Sequence, residues 1–352
     1  MDEVWSSAGV APPRIMVTGA GGFVGRHLVK ELAAHLPKGG RVIACSRNGS
    51  RDIVPDRAGA AFLDAAALDL SDAAGIEAVV RRVMPTHIVH LAGISTLAAV
   101  AAEPDLAWQV NLFGTLRLAE ALSRHCPGGH FVFAGSSEVY GRSFQGGKAL
   151  DETALLQPAN LYACTKAAAD QTLGQMASDS LSVMRVRPFN HIGPGQTERF
   201  ALSAFAAQIA RIERGLQPPV IRVGNLESQR DFLDVRDVAD AYRRIVERAG
   251  SLPNGTVLNI ASGFPRRIRE ALEGLLELAD RPIEVAIDER HMRPSDTPLV
   301  LGDARRARDL LGWAPTRCWA DTLRDILDHW RQRVSCGDPV SAGSNAPQVI
   351  AR

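Results

Sequence analysis

The stretch RIMVTGAGGFVGRHLVKELAAHL, residues 14–36, decides the fold. RIMVTG (14–19) is a short apolar run and reads as a buried strand. GFVGRHLVKELAAHL (22–36) carries its apolar residues at helical spacing and is stopped by Pro37 and the pair Gly39-Gly40. Between them Gly19, Gly22 and Gly25 form a G-x-x-G-x-x-G pattern. The first glycine permits a tight turn, the second lets backbone approach a pyrophosphate, and the third lets the helix pack on the sheet. The helix N-terminus adds unpaired N–H groups and a positive dipole end. A glycine-rich turn by itself would signify little. In a strand–loop–helix context the segment 18–25, including Phe23 and Val24, reads as a dinucleotide-phosphate site.

The alternation continues outward. RVIACS (41–46) reads as a second strand and AALDL (66–70) as a weaker third. A helix over 72–83, a strand over 86–93 and a long helix from Pro104 to about Cys126 follow. FVFAGS (131–136) is a strand, 161–178 a helix, and SVMRVRPFN (182–190) a strand. Strands alternating with helices imply an α/β fold, a doubly wound parallel sheet of Rossmann type. After residue 190 loops lengthen, and 202–215 and 235–250 are helical by period. The reading is a leader at 1–13, a NAD(P)-binding domain at 14–190, and a smaller α/β region at 191–334 that is mainly substrate-binding. That region is expected to be discontinuous, with strands returning to the first sheet. The tail 335–352, rich in Gly, Ser and Pro, is expected to be disordered.

Composition narrows the classes. A net charge of +1 gives no electrostatic case for nucleic acid or a membrane surface. Cys45, Cys126, Cys164, Cys318 and Cys336 show no CxxC spacing, so neither a disulfide framework nor a zinc site is implied. His90 and His191 read as structural, and no metal is expected. The chain has no apolar run long enough to span a bilayer and no signal-peptide core, so a cytoplasmic location is expected.

The second strand ends in Ser46-Arg47-Asn48, without a carboxylate for a ribose 2′-hydroxyl. Arg47 suits a 2′-phosphate, which favours NADP(H) and leaves NAD(H) open. Asp69-Leu70 stands where Asp69 can bond an adenine amino group, although a turn or cap role fits it nearly as well. Ser136-Ser137-Glu138 closes a strand at the edge where ligands bind such sheets. A hydroxyl there, Ser136 first of all, can hold a reacting carbonyl. Tyr162 and Lys166 lie four apart, on one helical face. A free Tyr has a pKa of about 10, and a nearby cation lowers it, so Tyr162 is expected to be tuned by Lys166 as a proton donor. Lys166 can also bond the nicotinamide ribose.

TGAGGFVG, HLAG (90–93), NLFGT (111–115), GSSEVYG (135–141) and YACTK (162–166) together resemble the extended short-chain dehydrogenase/reductases, over about 14–330. The resemblance implies that Ser136, four residues before Tyr140, is the catalytic hydroxyl and that Asn111 stabilises the site. It places Leu91, Ala92 and Gly93 against the cofactor; many relatives have Ala-Ala where this chain has Ala92-Gly93. RPFNHIGPGQ (187–196), ALSAFAAQIARIERG (201–215), VGNLESQRDFLDVRDVADAY (223–242) and RPSDTPLVLGDARRARDLLGW (293–313) are similar to the GDP-sugar branch, most of all its GDP-6-deoxy-D-mannose reductases. That implies NAD(P)H-dependent reduction of the C4 ketone of GDP-4-dehydro-6-deoxy-D-mannose to GDP-D-rhamnose. Ser137, Asn190, Phe200 and Ala201 would then meet the substrate, Val223 and Asn225 the guanosine, Arg230 and Arg293 the diphosphate, and Asp296 the nucleoside ribose. In similar enzymes helices equivalent to 104–126 and 161–178 form a dimeric four-helix bundle, which implies a homodimer.

Glu138 keeps a GDP-mannose 4,6-dehydratase reading open, because related dehydratases use a Glu two residues after the catalytic hydroxyl for the C5 proton. Against it, Phe200-Ala201-Leu202-Ser203 lacks the basic run usual there, and Asp231-Phe232-Leu233-Asp234 lacks the usual Asp-Trp. A nucleotide-sugar epimerase is disfavoured by the missing acid after the second strand. A non-catalytic NADP(H)-binding protein is disfavoured by the presence of both Tyr162 and Lys166.

Overall fold

A computed structural model describes residues 12–49, 62–291 and 297–337. The chain builds a seven-stranded parallel sheet from β1 (Arg14–Thr18), β2 (Arg41–Ser46), β3 (Phe62–Ala67), β4 (His87–His90), β5 (Gly129–Ala134), β6 (Leu181–Pro188) and a late strand, Thr256–Ile260. Across the sheet the order is Thr256–Ile260, β6, β5, β4, β1, β2, β3. The chain runs outward from β1 to β3, then returns to place β4 on the other side of β1. A crevice therefore opens above the carboxyl ends of β1 and β4, the topological switch point where such sheets bind ligands.

Both faces of the sheet are covered, which is why β1, β2 and β5 carry runs of buried apolar residues rather than a strict alternation. Ile15 and Val17 face one core, with Leu28, Val29 and Leu32 of α1 (Phe23–His35). Met16, Ile43 and Cys45 face the other, with Ile76 and Val80 of α2 (Ala73–Val83) and Leu118 and Leu122 from a later helix. A third cluster, Ile192, Leu202, Phe205, Ile221 and Val223 among others, forms the core of the second half.

Several elements differ from the sequence reading. The third strand is Phe62–Ala67 rather than 66–70, because its pairing with β2 runs from Arg41↔Phe62 to Ser46↔Ala67. Strand β4 stops at His90, and 91–93 leave the sheet as loop. An unanticipated helix, α3 (Leu97–Ala102), precedes the long one. The long run divides into α4 (Pro104–Trp108), a π-helical turn (Gln109–Gly114) and α5 (Thr115–His125). At that turn a Cβ on Gly114 would lie 2.6 Å from the Leu70 carbonyl oxygen, so only glycine passes there. Single π turns inside α-helices are frequent at functional sites.

Helix α6 (Leu161–Met176) is anchored to β6 by a buried charge cluster. Arg187 meets Asp170 as a fork, Nε to Oδ2 at 3.0 Å and Nη2 to Oδ1 at 2.9 Å, and Arg185 adds a bond to Oδ1 at 3.1 Å. The second half contributes α7 (Ala201–Glu213) and α8 (Val235–Arg248), and α8 packs on α1. Smaller sheets carry β7 (Asn190–Ile192), β8 (Val220–Val223) and β9 (Gln229–Asp234), the last two paired with strands from after residue 264. Among the described residues no helix is long and apolar enough to cross a membrane.

Candidate active site

The glycine loop leaves β1 at Gly19, whose φ of +68° is left-handed. A Cβ on Gly19 would stand 2.8 Å from the Ala92 nitrogen, and one on Gly25 only 2.2 Å from the Gly19 carbonyl oxygen. Backbone thus occupies the space that side chains would need, and the loop is held low over the switch point. Helix α1 is capped by Gly22 without a side-chain bond, which leaves its first-turn N–H groups to a ligand. These features fit a dinucleotide pyrophosphate.

Arg47 and Asn48 are exposed at the end of β2, with Asn48 Oδ1 accepting from Ser46 Oγ at 3.1 Å. Asp69 is exposed and folded into a turn, where Oδ1 accepts from Ser71 N at 2.8 Å and Ser71 Oγ at 2.7 Å. Those bonds hold its carboxyl below the usual range, helped by Arg47 nearby. The turn role foreseen for Asp69 is therefore present, and its second oxygen lies outside those bonds. Leu70 is buried in the core, so only its backbone can reach a ligand. Leu91 and Ala92 are half-buried and Gly93 is exposed. A Cβ on Gly93 would sit 2.9 Å from Asn111 Oδ1 and 3.6 Å from Lys166 Nζ. The glycine of HLAG thus leaves a gap beside both residues.

Ser136, Tyr162 and Lys166 converge from β5 and α6. Ser136 caps a 3₁₀ turn that starts at Ser137 and breaks at Gly141, its hydroxyl accepting from Glu138 N at 3.1 Å. The same side chain lies close enough to the Tyr162 phenol to lower its pKa. Lys166 is 5 % exposed; its Nζ donates to the Ala134 carbonyl oxygen at 2.7 Å and lies 4.8 Å from the Phe133 ring centroid. Burial lowers its ammonium to about 8.

The expected tuning of Tyr162 is corrected by this geometry. Its phenol is pushed up to about 12, not down. Burial is the main cause, the nearby Ser136 side chain opposes it, and the Glu138 charge adds to it. Lys166 has turned its ammonium onto the Ala134 carbonyl, so that charge does not stabilise the phenolate here. Tyr162 is a protonated donor in this state, which is the form a ketone reduction needs.

Asn111 lies in the π-helical turn, and its amide ties three elements together. Oδ1 accepts from Ile94 N at 2.8 Å, while Nδ2 donates to Ile94 O at 3.0 Å and Thr165 Oγ1 at 3.1 Å. Thr165 in turn donates to the Tyr162 carbonyl at 2.8 Å. Asn111 thus ties α6 to the loop after β4 and to the π-helical turn.

Asn160 was missed in the sequence. It caps α6, Oδ1 accepting from Ala163 N at 2.8 Å, and its Nδ2 donates to Glu138 Oε2 at 3.3 Å. An Asn directly before an apolar helical run is the signal that would have found it. Glu138 is exposed, and its charge acts on both Tyr162 and Arg230.

Toward the second half, Asn190, Phe200 and Ala201 are exposed, while Ser137 is buried. Arg230 is half-buried, with Nη1 donating to Gln229 O at 2.8 Å and Thr297 O at 3.1 Å. Asn225 is turned onto its own loop, Oδ1 accepting from Glu227 N at 2.9 Å. Val223 needs correction: its side chain is 1 % exposed and belongs to the core, so only its backbone can face a base. Arg293 and Asp296 lie outside the described residues. Among the described residues no cluster of His, Cys, Asp and Glu could hold a metal ion.

Comparison with known proteins finds one family and several relatives. The family described as GDP-mannose 4,6 dehydratase matches residues 16–326. GDP-6-deoxy-D-mannose reductase of Pseudomonas aeruginosa is 34 % identical, over 91 % of this chain and 98 % of its own. GDP-mannose 4,6 dehydratase 2 of Arabidopsis thaliana is 29 % identical, over 91 % of this chain and 87 % of its own. The solved structure of RMD from Pseudomonas aeruginosa complexed with NADPH superimposes with a TM-score of 0.78 at 34 % identity, covering 91 % of this chain and 99 % of that one.

Proposed function

This chain belongs to the GDP-mannose 4,6 dehydratase family, and from that premise we propose that it is a GDP-6-deoxy-D-mannose reductase. It reduces the C4 ketone of GDP-4-dehydro-6-deoxy-D-mannose to GDP-D-rhamnose with NAD(P)H, and NADP(H) is the favoured cofactor. The observation that carries the reading is end-to-end similarity to the Pseudomonas aeruginosa reductase, over 98 % of that protein. A bound nicotinamide supplies the hydride. The glycine loop and the α1 N-terminus would hold its pyrophosphate, and Arg47 a 2′-phosphate.

The protein's own part is positioning and proton transfer. Ser136 holds the C4 oxygen as negative charge develops on it. Tyr162, protonated and close to Ser136, gives that oxygen its proton. Arg230, with Arg293, takes the diphosphate, and Asn190, Phe200 and Ala201 bound the sugar side. Phe113, 44 % exposed on the 104–125 run, supports the proposed homodimer through that run and α6. The proposed location is the cytoplasm.

The second reading is a GDP-mannose 4,6-dehydratase. It is favoured by Glu138, exposed beside Asn160 and acting on Tyr162. An absorbance assay of NADPH oxidation separates the two readings. Oxidation with the keto-sugar alone, giving GDP-D-rhamnose by NMR, supports the reductase. Conversion of GDP-mannose to the keto-sugar without net NADPH loss overturns it in favour of the dehydratase.

A further inference from the structure

His90 is fully buried at the end of β4, between Thr18 of β1 and Thr115 of α5. Its Nδ1 lies 2.7 Å from Thr18 Oγ1, and its Nε2 lies 2.9 Å from Thr115 Oγ1. The proton positions follow from the ends of the chain of bonds. Thr115 Oγ1 stands 2.8 Å from the Asn111 carbonyl, which can only accept, so the hydroxyl donates there. Its single hydrogen is then used, and His90 Nε2 must carry a proton to bond it. In a neutral imidazole Nδ1 then holds a lone pair, which receives the Thr18 hydroxyl hydrogen. Thr18 Oγ1 itself accepts from Ala92 N at 3.2 Å. Every bond points the same way: Ala92 N–H to Thr18, Thr18 to His90, His90 to Thr115, Thr115 to the Asn111 carbonyl.

Each end of this relay touches a different half of the site. Ala92 is the residue against which Gly19 is packed, so it sets the height of the glycine loop. Asn111 holds Thr165 on the catalytic helix. We propose that His90 is a positioning residue for hydride transfer, its one-way relay registering the cofactor loop against the π-helical turn and α6. The proposal rests on the reductase reading above. An imidazolium would have a second N–H where the Thr18 hydrogen must point, and it would be repelled by the Lys166 ammonium. Burial keeps the ring neutral, at about 3, with Lys166 pushing the same way. Thr18, Thr115, Asn111 and Thr165 are all buried, so a broken link could not be repaired by solvent.

The tautomer is tested directly by two-dimensional ¹⁵N NMR of the intact protein near neutral pH. A protonated Nε2 with a bare Nδ1 is expected; the opposite tautomer, or an imidazolium, overturns the relay. This test needs no sugar, so it stands even if wild-type protein fails to reduce the keto-sugar, a result that would sink the reductase reading alone. The kinetic arm compares Thr18→Val and Thr115→Val with Thr18→Ser and Thr115→Ser. Each Val keeps the shape and loses the link, and kcat should fall roughly 10- to 100-fold with KM little changed, the scale of a small misplacement. Each Ser keeps the hydroxyl and should restore most of the rate. Wild-type turnover per folded molecule in both Val variants, whatever their thermal stability, overturns the proposal.

Discussion

Lys166→Met should make stability lose most of one component of its pH dependence. Lys166 is 5 % exposed and its ammonium sits at about 8, against an ordinary 10.5 regained on unfolding. Between those two values the unfolded chain binds the extra proton and the folded chain does not. Stability therefore rises with pH through this window, and the penalty for the buried charge is fully present below it. The shift corresponds to about 3 kcal/mol at pH 7, falling to about 1 kcal/mol at pH 10. Met keeps the length and apolar contact of the stem without the charge. Loss of the bond to the Ala134 carbonyl offsets the whole curve but leaves its slope alone. The assay is denaturant unfolding of both proteins across this range. Wild-type stability should gain roughly 2.5 kcal/mol on the Met variant between pH 7 and pH 10. A difference that stays flat with pH would refute the claim that Lys166 is held as a strained buried cation.

Three further outcomes follow from the site and its support. Tyr162→Phe should lower kcat by about two to four decades, the worth of a positioned proton donor, with NADPH affinity retained; near-normal turnover in a stopped assay would remove Tyr162 from the acid role. Arg47→Ala should weaken NADPH far more than NADH in fluorescence titrations, and equal weakening would discredit the 2′-phosphate assignment. Asp170→Ala strands the Arg187 guanidinium, which is 3 % exposed, and should cost about 3–5 kcal/mol in urea unfolding; a loss below about 1 kcal/mol would mean the pair does not anchor α6.

The glycine loop, the β-α alternation and the Tyr162–Lys166 pair were legible because each is a local pattern with one physical reading. Buried strands are apolar runs, and a helix face is a spacing. What escaped was set by partners distant in sequence. The third strand was placed late because its register is dictated by β2, not by its own composition. The π-helical turn has no signature of its own; it follows from the close passage of Gly114 over Leu70. The direction of the Tyr162 shift depended on where the Lys166 ammonium points, and a spacing of four residues says nothing of that. Val223 looked like a pocket residue by motif, yet its side chain faces the core of the second half. The carboxyl edge of the sheet was readable; the hydrogen-bond chain beneath it was not, since Thr18, His90 and Thr115 are ordinary residues until the strands align them.

The strand Thr256–Ile260 pairs with β6 along five residues, from Thr256↔Met184 to Ile260↔Pro188. All five of its residues are buried. During synthesis β6 therefore emerges well before the neighbour that covers its edge. A chain arrested near residue 190 would hold the glycine loop and α6 beside a bare strand edge, open to pairing with another such chain. Cutting the chain near residue 190 would therefore separate β6 from the strand that covers its edge.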